Sequence, residues 1–269
     1  MKVSASAPTV IVDDLHVVYR VYGAGGDKGT AATALMRVVK RQRRPSVREI
    51  HAIRGVSFVA NHGDAIGIIG RNGSGKSTLL QAIAGLLPPE RGCVYTIGQA
   101  ALLGVNAALM DDLTGERNVV LGCLAMGMTP AEVKDSYESV VEFSGVGNFV
   151  DYPMRTYSTG MAQRLRFSIA AAKSHEILMI DEALATGDAN FRAKSHEKIM
   201  ELRGQAGTVF LVAHNLGEIE ASCNRVVWLE KGQIMMQGED VPGIIDAYLE
   251  ATGGEPRHRD KPDDHDHSA

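Results

Sequence analysis

The run Gly70, Arg71, Asn72, Gly73, Ser74, Gly75, Lys76, Ser77 fills the spacing G-x-x-x-x-G-K-[ST], which places glycines, a lysine and a hydroxyl where phosphate chemistry needs them. The glycines let successive backbone N–H groups curl around phosphate oxygens, and the N-terminus of a following helix adds its positive end. Lys76 suits the β- and γ-phosphates. Ser77 suits Mg²⁺, a compact ion that takes few protein oxygens and completes its shell from phosphate and water. Gly70 to Thr78 therefore read as the binding loop of a nucleoside triphosphate. A second constellation follows the apolar run Ile177 to Ile180, where Asp181 and Glu182 place two carboxylates at a strand end. Asp181 suits the Mg²⁺ shell, and Glu182 is the candidate to accept a proton from the water attacking the γ-phosphate, or at least to orient it. His214, just after Val212 and Ala213, is a candidate contact to the γ-phosphate or that water. An acidic pair also serves as a plain strand cap and a lone histidine as a structural residue; the phosphate loop favours the chemical reading.

These groups need elements to hold them. Ala65 to Ile69 reads as a buried parallel strand, and Thr78 to Ala84 as a helix with Leu79, Leu80 and Ile83 at helical spacing, stopped by Gly85 and Pro88-Pro89. Strand signals recur at Ile177–Ile180, Val209–Val212 and Val226–Leu229, separated by helical stretches, which predicts an α/β fold with a mostly parallel core sheet. Val10–Val12, Val17–Tyr19 and Ile53–Val59 are β-rich runs broken by turns and predict an antiparallel β subdomain, with Cys93–Ile97 as a further strand. The pattern turns helical from about residue 106, and Thr129-Pro130-Ala131-Glu132 offers a capping box with proline at the first helical position. This block, about 106–175, reads as an inserted α-helical subdomain. There is one phosphate loop and no internal repeat.

The chain has 269 residues, 45% of them hydrophobic, enough for one sizeable α/β domain with an insertion. Cys93, Cys123 and Cys223 are scattered and unpaired by spacing, so neither a disulfide framework nor a zinc site is expected and a reducing cytosol fits. No apolar run is long enough to span a bilayer, and Met1 to Val10 lacks the marks of a secretory leader, so a membrane role needs a partner that supplies the spanning helices. A net charge of −4 argues against nucleic acid as a partner. Within the insertion at about 23–50, Lys28, Arg37, Lys40, Arg41, Arg43, Arg44 and Arg48 occur without an acidic residue between Lys28 and Arg48. That segment suits an anionic membrane surface or phosphate groups, and equally a solvated surface insertion. The polar residues 253–269 read as a disordered tail, whose histidines suit a metal less well than plain solvation.

Between the phosphate loop and Asp181 lies Ser158-Thr159-Gly160-Met161-Ala162-Gln163, opening an Ala-rich helix from Leu165 to Lys173. Ser158 would cap this helix while N–H groups at its start form a second anion site. With these motifs in this order, the chain resembles the ATP-binding cassette family over roughly residues 9–251. The resemblance implies a single P-loop NTPase cassette, ATP and Mg²⁺ as cofactors, and a homodimer. In that dimer Ser158, Thr159 and Gly160 face the γ-phosphate held by the other copy. It further implies Tyr19, with Tyr22 as fallback, as the aromatic against adenine, and Asp188 as the acidic end of the D-loop. The family's Q-loop glutamine is missing: Val105 stands at its place, beside Asn106. The signature also departs, with Tyr157, Thr159 and Met161 where Leu, Gly and Gln are usual.

The stretches Tyr157–Met161, Asp181–Asp188 with Phe191 and Lys194, and Gly238–Tyr248 look like the polysaccharide-exporter branch, which includes O-antigen, teichoic acid and cell-wall galactan exporters. Within it the chain looks most similar to the galactan exporter of mycobacterial-type cell walls. The resemblance implies an ATPase at the cytoplasmic face of the inner membrane, docked on a separate multi-span permease that moves a lipid-pyrophosphate-linked polysaccharide. The rival expectations are a soluble cassette ATPase acting on ribosomes or DNA, the ATPase of another transporter type, and a binding-only cassette. The first usually carries two cassettes or a coiled-coil insertion, and neither is visible here. The signature variant and basic insertion speak against the second, and the intact Asp181-Glu182 pair against the third.

Overall fold

A computed structural model describes residues 7–22, 47–103, 109–181, 189–213 and 215–254. Most of the basic segment, Val105 and Asn106, Glu182, Asp188, His214 and the tail from residue 255 lie outside the described residues.

Two sheets carry the architecture. Strands β1 (Pro8–Tyr22) and β2 (Val47–Asn61) pair antiparallel over their full length, and β4 (Arg91–Thr96) joins the other edge of β1. The runs at Val10 and Val17, expected as separate strands, form one strand with register shifts around Asp14, whose φ is 43°. Strand β2 begins at Val47, so Val47 to Ile50, at the end of the basic segment, already pair with β1. The second sheet has six strands in the order β5-β6-β7-β3-β8-β9. Its members β5 (Ala100–Leu103), β6 (Ile177–Asp181), β7 (Thr208–Val212), β3 (Ala65–Ile69) and β8 (Arg225–Glu230) are parallel, and β9 (Gln233–Gly238) returns antiparallel beside β8.

The central strands are apolar on both faces because both faces are covered. Ile66, Ile68, Ile177, Met179, Phe210 and Val212 pack on one side with Leu79, Leu80 and Ile83 of helix α1 (Lys76–Ile83) and with Val10, Leu15 and Phe58 of the antiparallel sheet. On the other side Ile69, Leu178, Ile180, Leu211, Val226 and Trp228 meet helices α5 (Ala189–Gln205), α6 (Leu216–Ser222) and α7 (Val241–Thr252) through Leu202, Ile219, Ile244 and Ile245. Between the sheets the buried hydroxyls of Thr9 and Thr208 stand 2.6 Å apart. The helical subdomain has its own core, where Val119 and Cys123 of α2 (Gly115–Ala125) and Val133 and Val140 of α3 (Pro130–Ser144) meet Leu165 and Ile169 of α4 (Thr159–Ala170). Helix α4 also gives Phe167 and Ala170 to the sheet core, so it joins the two units. The capping box expected at Thr129 and Glu132 is present, with Pro130 at the first turn. Among the described residues no helix is long and apolar enough to cross a membrane.

Candidate functional site

The phosphate loop leaves β3 and enters α1. The helix is capped by Gly75 at φ 109°, with no side chain on its first N–H groups. Its first internal bond runs from Leu79 N–H to Gly75 O at 2.8 Å, which leaves the N–H groups of Lys76, Ser77 and Thr78 for an outside acceptor. A Cβ at Gly75 would lie 2.7 Å from the Ala52 carbonyl oxygen and 2.9 Å from Ile53 Cδ1, so the close approach of β2 and this left-handed φ both require glycine. Lys76 Nζ donates to the carbonyls of Gly70 at 2.8 Å and Arg71 at 3.1 Å. Burial pushes the Lys76 ammonium below the usual lysine range, and the charges of Asp181 and Glu230 partly offset that. Ser77 Oγ donates to Asp181 Oδ2 at 2.9 Å, so the loop hydroxyl and the β6 carboxylate meet across the sheet, with β7 between their strands.

These groups open on a cavity of about 520 Å³ lined by Asn72, Gly73, Gly75, Lys76, Ser77, Thr78, Asp181 and Val212. Tyr19 lines it too. It is exposed, and its hydroxyl stands 3.4 Å from Thr78 Oγ1, at the start of α1. The cavity also takes in Ile50, His51 and Arg54 of β2 and Lys231 of the β8–β9 turn, none of which the sequence reading named. The segment Lys231-Gly232 between two apolar runs does signal a hairpin turn, but nothing local says that the turn reaches the phosphate loop.

It reaches the loop through Gly232. The Gly232 N–H donates to Ser74 O at 2.8 Å, and Gly232 O accepts from Arg54 N–H at 2.8 Å. One residue thus pins the phosphate loop to β2. Gly232 has φ 80°, and a Cβ there would run into the Ala52 carbonyl.

Ser158 caps α4, its Oγ accepting from Met161 N–H at 3.2 Å, as the motif predicts. Ser158 and Thr159 are exposed, and neither they nor Gly160 line the nucleotide cavity. Buried Asn118, also missed, holds the segment before α2: its side chain accepts from Met110 N–H at 2.8 Å and donates to the carbonyls of Met110, Leu113 and Thr114. The placement of Glu182, Asp188 and His214 falls outside the described residues.

An α/β core whose central strand runs into a glycine-capped phosphate loop, with a carboxylate presented from another strand of the sheet and a helical insertion, defines a nucleotide-binding domain of the P-loop class. Residues 53–185 match the family described as ABC transporter. The chain is 39% identical to the O-antigen export system ATP-binding protein RfbB of Klebsiella pneumoniae over 205 residues, 76% of this chain and 83% of the relative. It is 38% identical to the RfbB protein of Myxococcus xanthus over 250 residues, 91% of this chain and 56% of that one. With the teichoic acids export ATP-binding protein TagH of Bacillus anthracis it shares 39% over 200 residues, 74% of this chain and 36% of that one. The chain thus spans little more than half the length of the Myxococcus relative and about a third of the Bacillus one. Among solved structures, a dimeric ATP-binding cassette in a post-hydrolysis state with ADP and Pi overlays with a TM-score of 0.62 at 19% identity, covering 86% of this chain and 98% of that one. The ATP-binding subunit of an ABC transporter overlays equally, at 23% identity and coverages of 91% and 93%. The chain belongs to the ABC transporter family.

Proposed function

We propose that the chain is the ATP-hydrolysing subunit of an exporter that moves a lipid-pyrophosphate-linked polysaccharide, of O-antigen, teichoic acid or galactan type, across the inner membrane. It works as a homodimer of single cassettes spanning about 9–251, at the cytoplasmic face, on a separate multi-span permease. The observation that carries the ATPase part is the phosphate loop with free helix N–H groups, Lys76, and Ser77 2.9 Å from Asp181 at one cavity. The export part rests on the kinship with O-antigen and teichoic acid export ATP-binding proteins.

In this reading the adenine stacks on Tyr19, and the phosphates follow Gly70 to Thr78. Lys76 exchanges its two carbonyl acceptors for β- and γ-phosphate oxygens. Ser77 and Asp181 fit Mg²⁺: they bring a hydroxyl and a carboxylate oxygen together, and no described cluster of three or more metal-ligating side chains competes with them. Bound there, Mg²⁺ would neutralise phosphate charge. Glu182 prepares the attacking water, His214 holds the γ-phosphate arrangement, and Asp188 contributes to the contact between copies. Ser158, Thr159 and Gly160 of a second copy complete the site by offering their helix N-terminus to the γ-phosphate.

The test pairs Glu182→Gln with wild type, alone and co-expressed with the permease. The variant should bind Mg-ATP, form a stable dimer and lose nearly all turnover, while wild type co-purifies with a multi-span membrane protein. Wild-type turnover in the variant would remove Glu182 from its role, and a ribosome-bound chain with no membrane partner would refute export.

A further inference from the structure

The motif residues leave one part of the nucleotide cavity unexplained. Arg54 and Lys231 line it together with Asn72, Gly73 and Lys76, yet they come from β2 and from the β8–β9 turn and lie outside the phosphate-loop motif. We propose that Lys231 and Arg54 form a second cationic arm of the phosphate site, on its exposed rim, that raises affinity in proportion to the charge of the bound nucleotide. This rests on the nucleotide-site reading above.

Three observations support it. The first is fixed placement. The peptide of Gly232 bonds both to Ser74 O in the phosphate loop and to Arg54 N–H on β2, each at 2.8 Å, so the backbones carrying both cations are tied to the loop itself. Lys231 at φ 50° and Gly232 at φ 80° form the two-residue hairpin turn between β8 and β9, which fixes the Lys231 backbone beside the loop.

The second is the absence of partners. On the same antiparallel sheet Arg20 bonds to Glu49 at 3.2 Å and Glu90 at 2.6 Å, and Arg91 pairs with Asp14 at 2.9 Å. Among the described residues, by contrast, the Arg54 side chain has one hydrogen bond, from Nε to the His51 carbonyl at 3.3 Å, and neither Arg54 nor Lys231 has an ion pair.

The third is charge balance. The chain carries −4 overall, yet the described residues of the lining hold Arg54, Lys76 and Lys231 beside the carboxylate of Asp181, which receives the Ser77 hydroxyl, with Glu230 acting on Lys76 from outside the lining. An anion of several charges is the ligand that such a lining favours.

Exposed cations several ångströms from a phosphate act through a high dielectric, so each should change affinity by roughly threefold to tenfold at low salt. Salt should screen that change over a length of about 10 Å at 0.1 M. Calorimetric titration of Mg-ATP and Mg-ADP against the full chain, at roughly 50 and 300 mM salt, tests the proposal. Lys231→Asn keeps a residue that tolerates the left-handed turn and removes the charge; Lys231→Arg restores the charge; Arg54→Gln tests the other strand independently. The expected result is weaker ATP binding in the Asn and Gln variants, a smaller loss for ADP, a shallower dependence on salt, and rescue by Arg.

ATP affinity and salt dependence equal to wild type in the neutral variants would overturn the arm, provided Lys76→Ala still loses binding in the same assay. An Arg variant as weak as the Asn variant would assign the effect to the turn and overturn it as well. Wild-type protein that binds no nucleotide would refute the site reading itself.

Discussion

Replacing Gly232 by alanine should injure the phosphate loop from a distance. At φ 80° an alanine pays the left-handed penalty, roughly 1 to 2 kcal/mol. Its Cβ would also run into the Ala52 carbonyl oxygen and approach Ala52 C at 2.9 Å and Ile53 Cα at 3.1 Å, all backbone that cannot rotate away. Relief requires the turn to lift from β2, which strains the bonds from Gly232 N–H to Ser74 O and from Arg54 N–H to Gly232 O, each contributing about 1 kcal/mol. The terms overlap, and a total of about 3 to 5 kcal/mol is expected. In a domain of this size that lowers the melting temperature by roughly 6 to 20 °C.

The chain's one tryptophan, Trp228 on β8, packs edge-on against Tyr248 at 5.6 Å and gives a fluorescence signal for unfolding. Gly145→Ala is the matched control. It has a similar φ of 63° with nothing within 4 Å of an added Cβ, so it isolates the backbone strain and should lose only about 1 kcal/mol. At a temperature where both variants are folded, the Gly232 variant alone should bind ATP more weakly, because its Ser74 carbonyl has lost its anchor. Equal melting of the two variants with unchanged ATP affinity would refute the clamp.

Two further outcomes follow from the interior. Thr208→Val removes a buried hydroxyl 2.6 Å from that of Thr9 and 3.0 Å from Asn61 O, and should cost about 1 to 3 kcal/mol in urea unfolding; a loss under about 0.5 would show that the contact between the sheets contributes little. Burial pushes the thiols of Cys123 and Cys223 up to about 11, so at pH 8 they stay protonated. Alkylation of the native protein should therefore modify exposed Cys93 far faster than buried Cys123 and half-buried Cys223, and modification of either at the rate of Cys93 would contradict their raised thiols.

Contiguous chemistry was legible in the sequence. Gly70 to Ser77 specify a loop by their own backbone needs, and Ile177 to Ile180 announce a strand covered on both faces because every residue is apolar. Ser158 revealed its helix by capping it. What stayed hidden depends on tertiary partners. Strand β5 reads Ala-Ala-Leu-Leu, with no β-branched residue, and is a strand because β6 pairs with it. Strand β9 is half polar and largely exposed, held by its hairpin with β8. The break expected between Val12 and Val17 is a bulge around Asp14, which keeps β1 continuous and carries Tyr19 to Thr78. Arg54 and Lys231 are separated from the phosphate loop by folds of the chain that no local pattern encodes.

The site as one chain builds it is asymmetric, and that asymmetry bears on the proposed dimer. Its donors are the N–H groups at the start of α1, Lys76 and the rim cations, all reached from the loop, β2 and the β8–β9 turn. The other helix start suited to an anion, at α4, has only its Met161 N–H capped by Ser158, lies exposed, and is absent from the cavity lining. In the dimer proposed above, the α4 tip of a second copy serves the triphosphate in this cavity. Hydrolysis would then require two chains to close, so turnover at low protein concentration should rise with the square of that concentration. Turnover strictly proportional to concentration over the dissociating range would mean that α4 has some other acceptor and that a single cassette suffices.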